Sequence, residues 1–218
     1  MSPPVFSKVS DLPETVPVFP LEGAVLFPHA NLPLNIFEPR YLNMVDDAMY
    51  SDRLIGMIQP LPDEMAETRP AVNTVGCLGR ITSYTETEDG RYAINLQGIC
   101  RFDAVAELDV DTPYRRAQIA CDDYADDFRP SRSIEDFINR EDLTRALKAY
   151  LSHNAMKTDW SAVTDAPLET LINALASGCP FSNPEKQMLL ETPTLIDRGR
   201  ALISLLMMDA TGNRGMMQ

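Results

Sequence analysis

The sequence predicts an α+β chain in two parts: a β-rich first part bent toward a barrel around one inserted helix, then a small C-terminal α-helical bundle. Three observations carry this. Short apolar runs broken by Gly, Pro and Asn fill residues 16–121, which is the punctuation of strands rather than helices. Gly76, Gly79 and Gly98 fall inside such runs, where a missing side chain marks the bulges and bends that close a barrel. Beyond residue 133 the apolar spacing changes to three and four, the period of a helix face.

Residues 1–14 are polar and contain Pro3, Pro4 and Pro13, which reads as a flexible arm. Apolar runs at 16–19, 24–27 and 32–37, separated by Pro20, Gly23, Pro28 and Asn31, read as closely spaced strands. At Pro39 the period changes. Tyr41, Met44, Val45, Ala48 and Met49 share one helical face, and proline suits the first helical turn, where its missing N–H has no partner. A short strand at 54–58 leads into the Pro-rich, acidic loop 59–74, and loops of this length inside a compact domain tend to be mobile or functional. Asp89-Gly90 is the strongest hairpin signal, joining strands at 75–84 and 91–96. Strands at 101–108 and 115–121 bring the expected number to about eight.

The acidic, Pro-containing run 122–133 reads as a solvated linker. The expected organisation is therefore an arm 1–14, a β part 15–121, an acidic linker 122–133 and helices 134–218. Ile134, Phe137, Ile138, Leu143, Leu147, Tyr150 and Leu151 follow helical spacing. Asp165 with Pro167, Asn183 with Pro184, and Thr194 mark three later helix starts, giving four helices able to pack as a bundle.

The formal net charge is −13, with 9 Lys+Arg against 17 Asp+Glu in residues 1–121 and 10 against 15 in 122–218. Nucleic acid and anionic lipid are held by cationic side chains, so neither a nucleic acid nor a membrane surface is an expected partner. The four cysteines, Cys77, Cys100, Cys121 and Cys179, stand far apart without a C-x-x-C pair. The amino terminus lacks a basic segment followed by an apolar one, and no run approaches the roughly 20 apolar residues of a membrane helix. The expectation is a soluble, cytoplasmic protein with reduced thiols.

The stretch "LPLNIFEPRY" at 32–41, with "FPL" at 19–21 and "LFP" at 26–28, resembles the signature of the Lon protease amino-terminal, substrate-binding domain. The similarity continues in "VGCLGRI" (75–81), "DGRYAINLQGICRF" (89–102) and "EKQMLLE" (185–191); Asn35 stands where a His is more usual. The resemblance implies a six-stranded, PUA-like β pseudo-barrel and a substrate-recognition module of an ATP-dependent protease. The G-x-x-x-x-G-K-[ST] phosphate loop is absent, and 218 residues leave no room for an ATPase or peptidase domain. The expectation is a stand-alone, non-catalytic member with no cofactor.

No other motif carries chemistry. Cys with His29 or His153 is the only route to a nucleophile, and a free Cys in an apolar run is more often a small core residue. Two histidines without clustered cysteines or carboxylates give no metal signal. In the signature, Glu38 is expected to face the dipole of the following helix and Arg40 to pair with a carboxylate at the sheet edge. Phe37 and Tyr41 are expected in the core, joining helix to sheet. Met44, Met49, Met188, Met207 and Met208 lie on or beside helical apolar faces and are expected mostly in the core.

The favoured function is recognition of unfolded or exposed apolar segments of other proteins, as an adaptor to a separate protease. Its binding surface is expected in the long loop, where Pro60, Leu61, Pro62 and Met65 are the residues to test, or in the crevice between barrel and helical bundle, and the net charge favours basic-apolar segments. The alternative is a small hydrolase or ligand-binding protein on a barrel scaffold, which requires a concave site with a perturbed Cys or His.

Overall fold

Six strands build the sheet: β1 (Thr15–Pro20), β2 (Asn31–Ile36), β3 (Leu54–Ile58), β4 (Val75–Glu86), β5 (Tyr92–Glu107) and β6 (Arg115–Ala120). The computed structural model describes residues 6–61, 69–129 and 134–211. Strand β5 is the spine. It pairs with β4 along one edge and with β2, then β6, along the other, all antiparallel. Strand β4 pairs with β3, β1 runs parallel to β3, and β6 returns antiparallel to β1. Because β6 also pairs with β5, the order β5-β4-β3-β1-β6 closes on itself, and closure removes the exposed edges of an open sheet.

The chain divides into two compact units, Met1–Pro130 with Ser182–Gln187, and Ser131–Phe181 with Met188–Gln218. In the first, Val16, Val18, Leu54, Leu78, Phe102 and Ile119 meet in one apolar cluster. Phe102 fits only because its neighbour has no side chain: a Cβ on Gly76 would lie 2.4 Å from the ring. Helix α1 (Pro39–Tyr50) starts on its proline and buries Tyr41, Met44, Val45 and Ala48 at the expected spacing. The Tyr41 ring lies 4.2 Å from that of Phe19, which ties α1 to β1.

Several expectations are corrected. Residues 24–27 are no strand, yet Val25, Leu26 and Phe27 are buried. The backbone there crosses β5: His29 N–H donates to Gly98 O at 3.0 Å, and a Cβ on Gly98 would sit 2.0 Å from Phe27 O. The strands expected at 91–96 and 101–108 are one strand, β5, because Gly98 admits this close crossing without breaking the ladder. Residues 6–14 are not a loose arm, since Phe6, Val9 and Leu12 pack on the main apolar cluster; residues 1–5 lie outside the described residues.

The expected solvated linker is also anchored where it is described. Residues Asp122–Phe128 wind into 3-10 turns, and Asp127, 10% exposed in its side chain, clasps Arg101, 5% exposed. Arg101 donates from its backbone N and Nε to Oδ2 and from Nη2 to Oδ1, at 2.8 to 2.9 Å. Phe37 is corrected most sharply. It is 61% exposed, because Ile36 before it points inward and successive strand residues alternate faces.

The second unit holds α2 (Arg140–His153), α3 (Trp160–Asp165), α4 (Leu168–Gly178), α6 (Leu195–Ala210) and the end of α5 (Asn183–Glu191). Asn139, Asp159 and Thr194 cap α2, α3 and α6 through side-chain oxygens. Asp165 ends α3 instead of capping α4, whose N-cap Pro167 has no side-chain bond to offer. Leu143, Leu147, Tyr150, Leu171, Ile172, Leu202 and Leu206 are buried. A Cβ on Gly199 would lie 3.0 Å from Ile172 and 3.2 Å from Ile138, so a small residue brings these helices close. Met188, Met207 and Met208 are each about 40% exposed rather than core.

The start of α5 belongs to the first unit. Lys186 Nζ donates to Gly23 O at 2.9 Å and Gln187 Nε2 to Val75 O at 3.0 Å, so these two polar residues are buried with partners. The expected continuous helical part 134–218 is therefore interrupted at 182–187.

Candidate functional site

In the first unit a cavity of about 400 Å³ gathers several of the predicted residues. Three arginines line it, Arg40, Arg69 and Arg115, with two tyrosines, Tyr41 and Tyr114. Pro20, Pro60, Pro70 and Pro113 supply rigid apolar wall. Arg40 and Tyr41 come from the first turn of α1, Pro20 from the end of β1, and Tyr114 and Arg115 from the entry to β6.

Pro60 and Pro70 flank the base of the long loop. That base is a ladder: Pro60 bridges Val72, Leu61 N–H donates to Ala71 O at 2.8 Å, and Asn73 N–H donates to Gln59 O at 2.9 Å. Gln59, buried beneath it, donates to Gln187 Oε1 at 3.1 Å and to Asn183 O at 3.2 Å. The loop thus leaves and re-enters at fixed points, with α5 as its floor.

Charge at the rim is organised by two glutamates. Glu107 accepts from Arg115 Nε and Nη2 at 2.9 and 2.7 Å and from Arg69 Nε at 2.9 Å, while Arg115 Nη1 reaches Pro70 O at 2.7 Å. Burial pushes the Glu107 carboxyl up, but the hydrogen bonds from Arg115 and Arg69 outweigh it and hold the group below its ordinary value. Arg40 pairs with Glu38 at 2.8 Å and lies 4.6 Å from the centre of the Tyr41 ring. Burial raises the Tyr41 hydroxyl. Burial, then its 2.6 Å bond to Asp47, pushes Tyr114 up to about 12.

The charged lining residues are all arginine, which departs from the expected preference for basic segments: near the wall, an incoming cation meets guanidinium groups. The planar arginines and tyrosines offer flat faces and donors at little conformational cost. They form no nucleophile and base pair.

Of the residues singled out in the sequence, Pro60, Arg40 and Tyr41 line the cavity, and Leu61 is half-buried in the loop base. Pro62 and Met65 lie outside the described residues. Phe37 stays outside the lining, with Arg91 over its ring at 5.6 Å. Glu38 and Arg40 bind each other, correcting the expectation that each finds another partner; Glu38 occupies the α1 N-cap without a side-chain cap bond. Sequence reasoning missed Arg69, Tyr114 and Arg115. The signal for Tyr114 and Arg115 was the arginine pair of "DTPYRR" within an acidic chain.

The four cysteines are buried and none is joined in a disulfide. The hydrogen bond shared with Cys121, then burial, pushes the Cys100 thiol up, while the same bond holds the Cys121 thiol below its ordinary value. His29 Nε2 donates to Asp127 O at 2.7 Å, and His153 is exposed in the last turn of α2. Among the described residues no group of three His, Cys, Asp or Glu could hold a metal ion, and no helix is long and apolar enough to cross a membrane.

Comparison with known proteins matches residues 15–207 to the family model of the ATP-dependent protease La (LON) substrate-binding domain. A Lon protease of Anaeromyxobacter dehalogenans is 28% identical over 216 residues, covering 94% of this chain and 24% of that protein. A Lon protease of Desulfosudis oleivorans is 30% identical over 189 residues, covering 83% and 22%. The chain therefore spans about a quarter of the length of the curated relatives it matches. Two solved structures share the fold. The N terminal domain of Mycobacterium avium complex Lon protease has a TM-score of 0.62 at 18% identity, covering 92% of this chain and 99% of that one. A Lon N-terminal domain protein from Xanthomonas campestris has a TM-score of 0.55 at 24% identity, covering 88% and 96%.

Proposed function

This chain belongs to the ATP-dependent protease La (LON) substrate-binding domain family, and from that premise we propose that it is a non-catalytic module recognising exposed segments of other polypeptides. The closed sheet with its inserted helix is read as the PUA-like pseudo-barrel of such a module. Its partners are unfolded or damaged proteins, presented to a protease that carries the ATPase and peptidase chemistry, in the reducing cytoplasm.

The observation that carries the reading is the 400 Å³ cavity at the root of the 59–74 loop, where prolines and tyrosines give apolar area and arginines give donors. Pro60 and Leu61 on the described part of the loop, with Pro62 and Met65 beyond it, are the residues assigned to this contact. A surface that accepts many sequences cannot optimise contacts to one, so affinity is expected in the micromolar range, about −8 kcal/mol or weaker. The test is titration of a permanently unfolded protein and its native form against this chain at low and high salt, with and without Tyr114→Ala and Arg115→Ala. Preference for the unfolded form, lost in the double variant, supports the assignment. Equal affinity for both forms, or none at about 100 micromolar, removes it.

A further inference from the structure

A second cavity of the first unit, about 190 Å³, is lined by Phe6, His29, Arg80, Gln97, Gly98 and Phe128. Arg80 stands on β4 opposite Gln97 of β5. Among the described residues its Nε is buried without a hydrogen-bond partner, and its guanidinium lies 5.9 Å from the centre of the Phe6 ring. Several arginines of this unit have a carboxylate: Arg40 has Glu38, Arg69 and Arg115 share Glu107, and Arg101 has Asp127. Arg116 shares the buried, unbonded Nε but reaches Thr15 Oγ1 through Nη2. A buried donor left unmade loses its hydration with nothing in exchange, so folding alone gives no reason to hold Arg80 here.

The opposite rim carries a second outlier. His29 adopts φ +61°, a left-handed backbone that a side chain disfavours. It is held there by its N–H on Gly98 O and its ring on Asp127 O. A buried, unbonded Nε–H on a half-buried arginine and a strained residue lining the same small cavity are features that binding sites keep and stability does not require.

We propose that this cavity takes a carboxylate of a bound polypeptide, either the chain terminus or an Asp or Glu side chain. The inference rests on the polypeptide-recognition reading above. Arg80 is the cation, and its fork of N–H groups matches the two carboxylate oxygens. Gln97 is the neutral donor beside it, and Phe6 and Phe128 wall the apolar neighbour of the carboxylate. One fixed cation between two phenyl rings suits a monoanion with apolar surroundings better than a phosphate dianion, which needs more charge to leave water.

The experiment follows the Arg80 Nε–H resonance and the affinity of one unstructured apolar peptide in three forms: free acid, amidated, and amidated with an internal Glu. Inorganic phosphate alone is the fourth probe. At least one carboxylate form is expected to bind about tenfold more tightly than the plain amide and to shift the Nε–H signal, as a charge-assisted hydrogen bond replaces none. Whichever form does so identifies the source of the carboxylate. Arg80→Met should abolish the discrimination, keep the residual affinity of the amide, and melt at or above the wild-type temperature, since the donor removed had no partner. Equal binding of all three forms, or a phosphate shift as large as the peptide's, overturns the carboxylate site while leaving polypeptide recognition standing. Binding of none of the three overturns both.

Discussion

Arginine–carboxylate pairs serve the β-rich unit in two settings, and the contrast separates what holds the chain from what meets a ligand. Where the 3-10 turns reach β5, Arg101 and Asp127 are almost wholly buried and share three hydrogen bonds, with Tyr124 stacked on the guanidinium at 4.8 Å. At the larger cavity, Arg40 and Glu38 are 46% and 44% exposed, and Arg69 is more exposed still. The buried pair offsets a desolvation cost and fixes one path for residues 122–128, so its value appears when one partner is removed. The exposed pairs are each worth little to stability and leave planar cations free to exchange partners.

Removing charge from the buried pair should have the largest effect. Asp127→Asn leaves the Arg101 charge uncompensated and is expected to cost about 3–5 kcal/mol, read as a large fall in the denaturation midpoint. A loss under about 1 kcal/mol would erase the distinction between the two settings. At the cavity rim, where Arg115 and Glu107 are 16% and 32% exposed and Arg69 61%, Glu107→Gln releases both arginines and should cost less, about 1 kcal/mol by the same measurement.

The same residue sharpens the contrast through pH. The folded state depresses the Glu107 pKa below 4.5, so its contribution is present above 4.5 and is lost as pH falls through the lower folded value. Wild type and Glu107→Gln should accordingly differ at pH 7 and converge under acid conditions. Phe37→Ala should cost well under the roughly 3–5 kcal/mol of a buried phenylalanine, about 0.5 kcal/mol, because its ring is mostly in water. The smallest effect belongs to Asp126→Ala, next to Asp127 in sequence but paired with Arg129 in the open, within about 0.5 kcal/mol of zero.

Asp126 and Asp127 also mark the limit of reading this chain as a string. Nothing in "DDYADDF" distinguishes one carboxylate from its neighbour. Only the folding of β5 beneath the segment brings Arg101 to Asp127. The cavity lining was partly legible, since Pro60, Arg40 and Tyr41 lie in segments whose composition was already unusual. Arg69, Tyr114 and Arg115 were not, because they converge from segments 45 residues apart in sequence. The Arg80 cavity had no sequence signal at all, since a missing partner leaves no mark on composition.

What the sequence determined by itself is what short-range physics controls. The period change at Pro39 set helix α1 and its buried face, Asp89-Gly90 set the hairpin with Gly90 at φ +76°, Thr194 capped α6, and the signature runs carried the family. Each depends on residues within a few positions of one another, where dihedral preference and side-chain spacing act directly. Tertiary structure decided the rest. It gave the apolar run 24–27 a plug's role instead of a strand's, turned Phe37 outward, drew residues 182–187 into the β-rich unit and, among the described residues, left the Arg80 Nε without a hydrogen-bond partner. These outcomes depend on which distant backbone and side-chain groups arrive within hydrogen-bonding or van der Waals reach, and apolar or charged character is the same on either side of that decision.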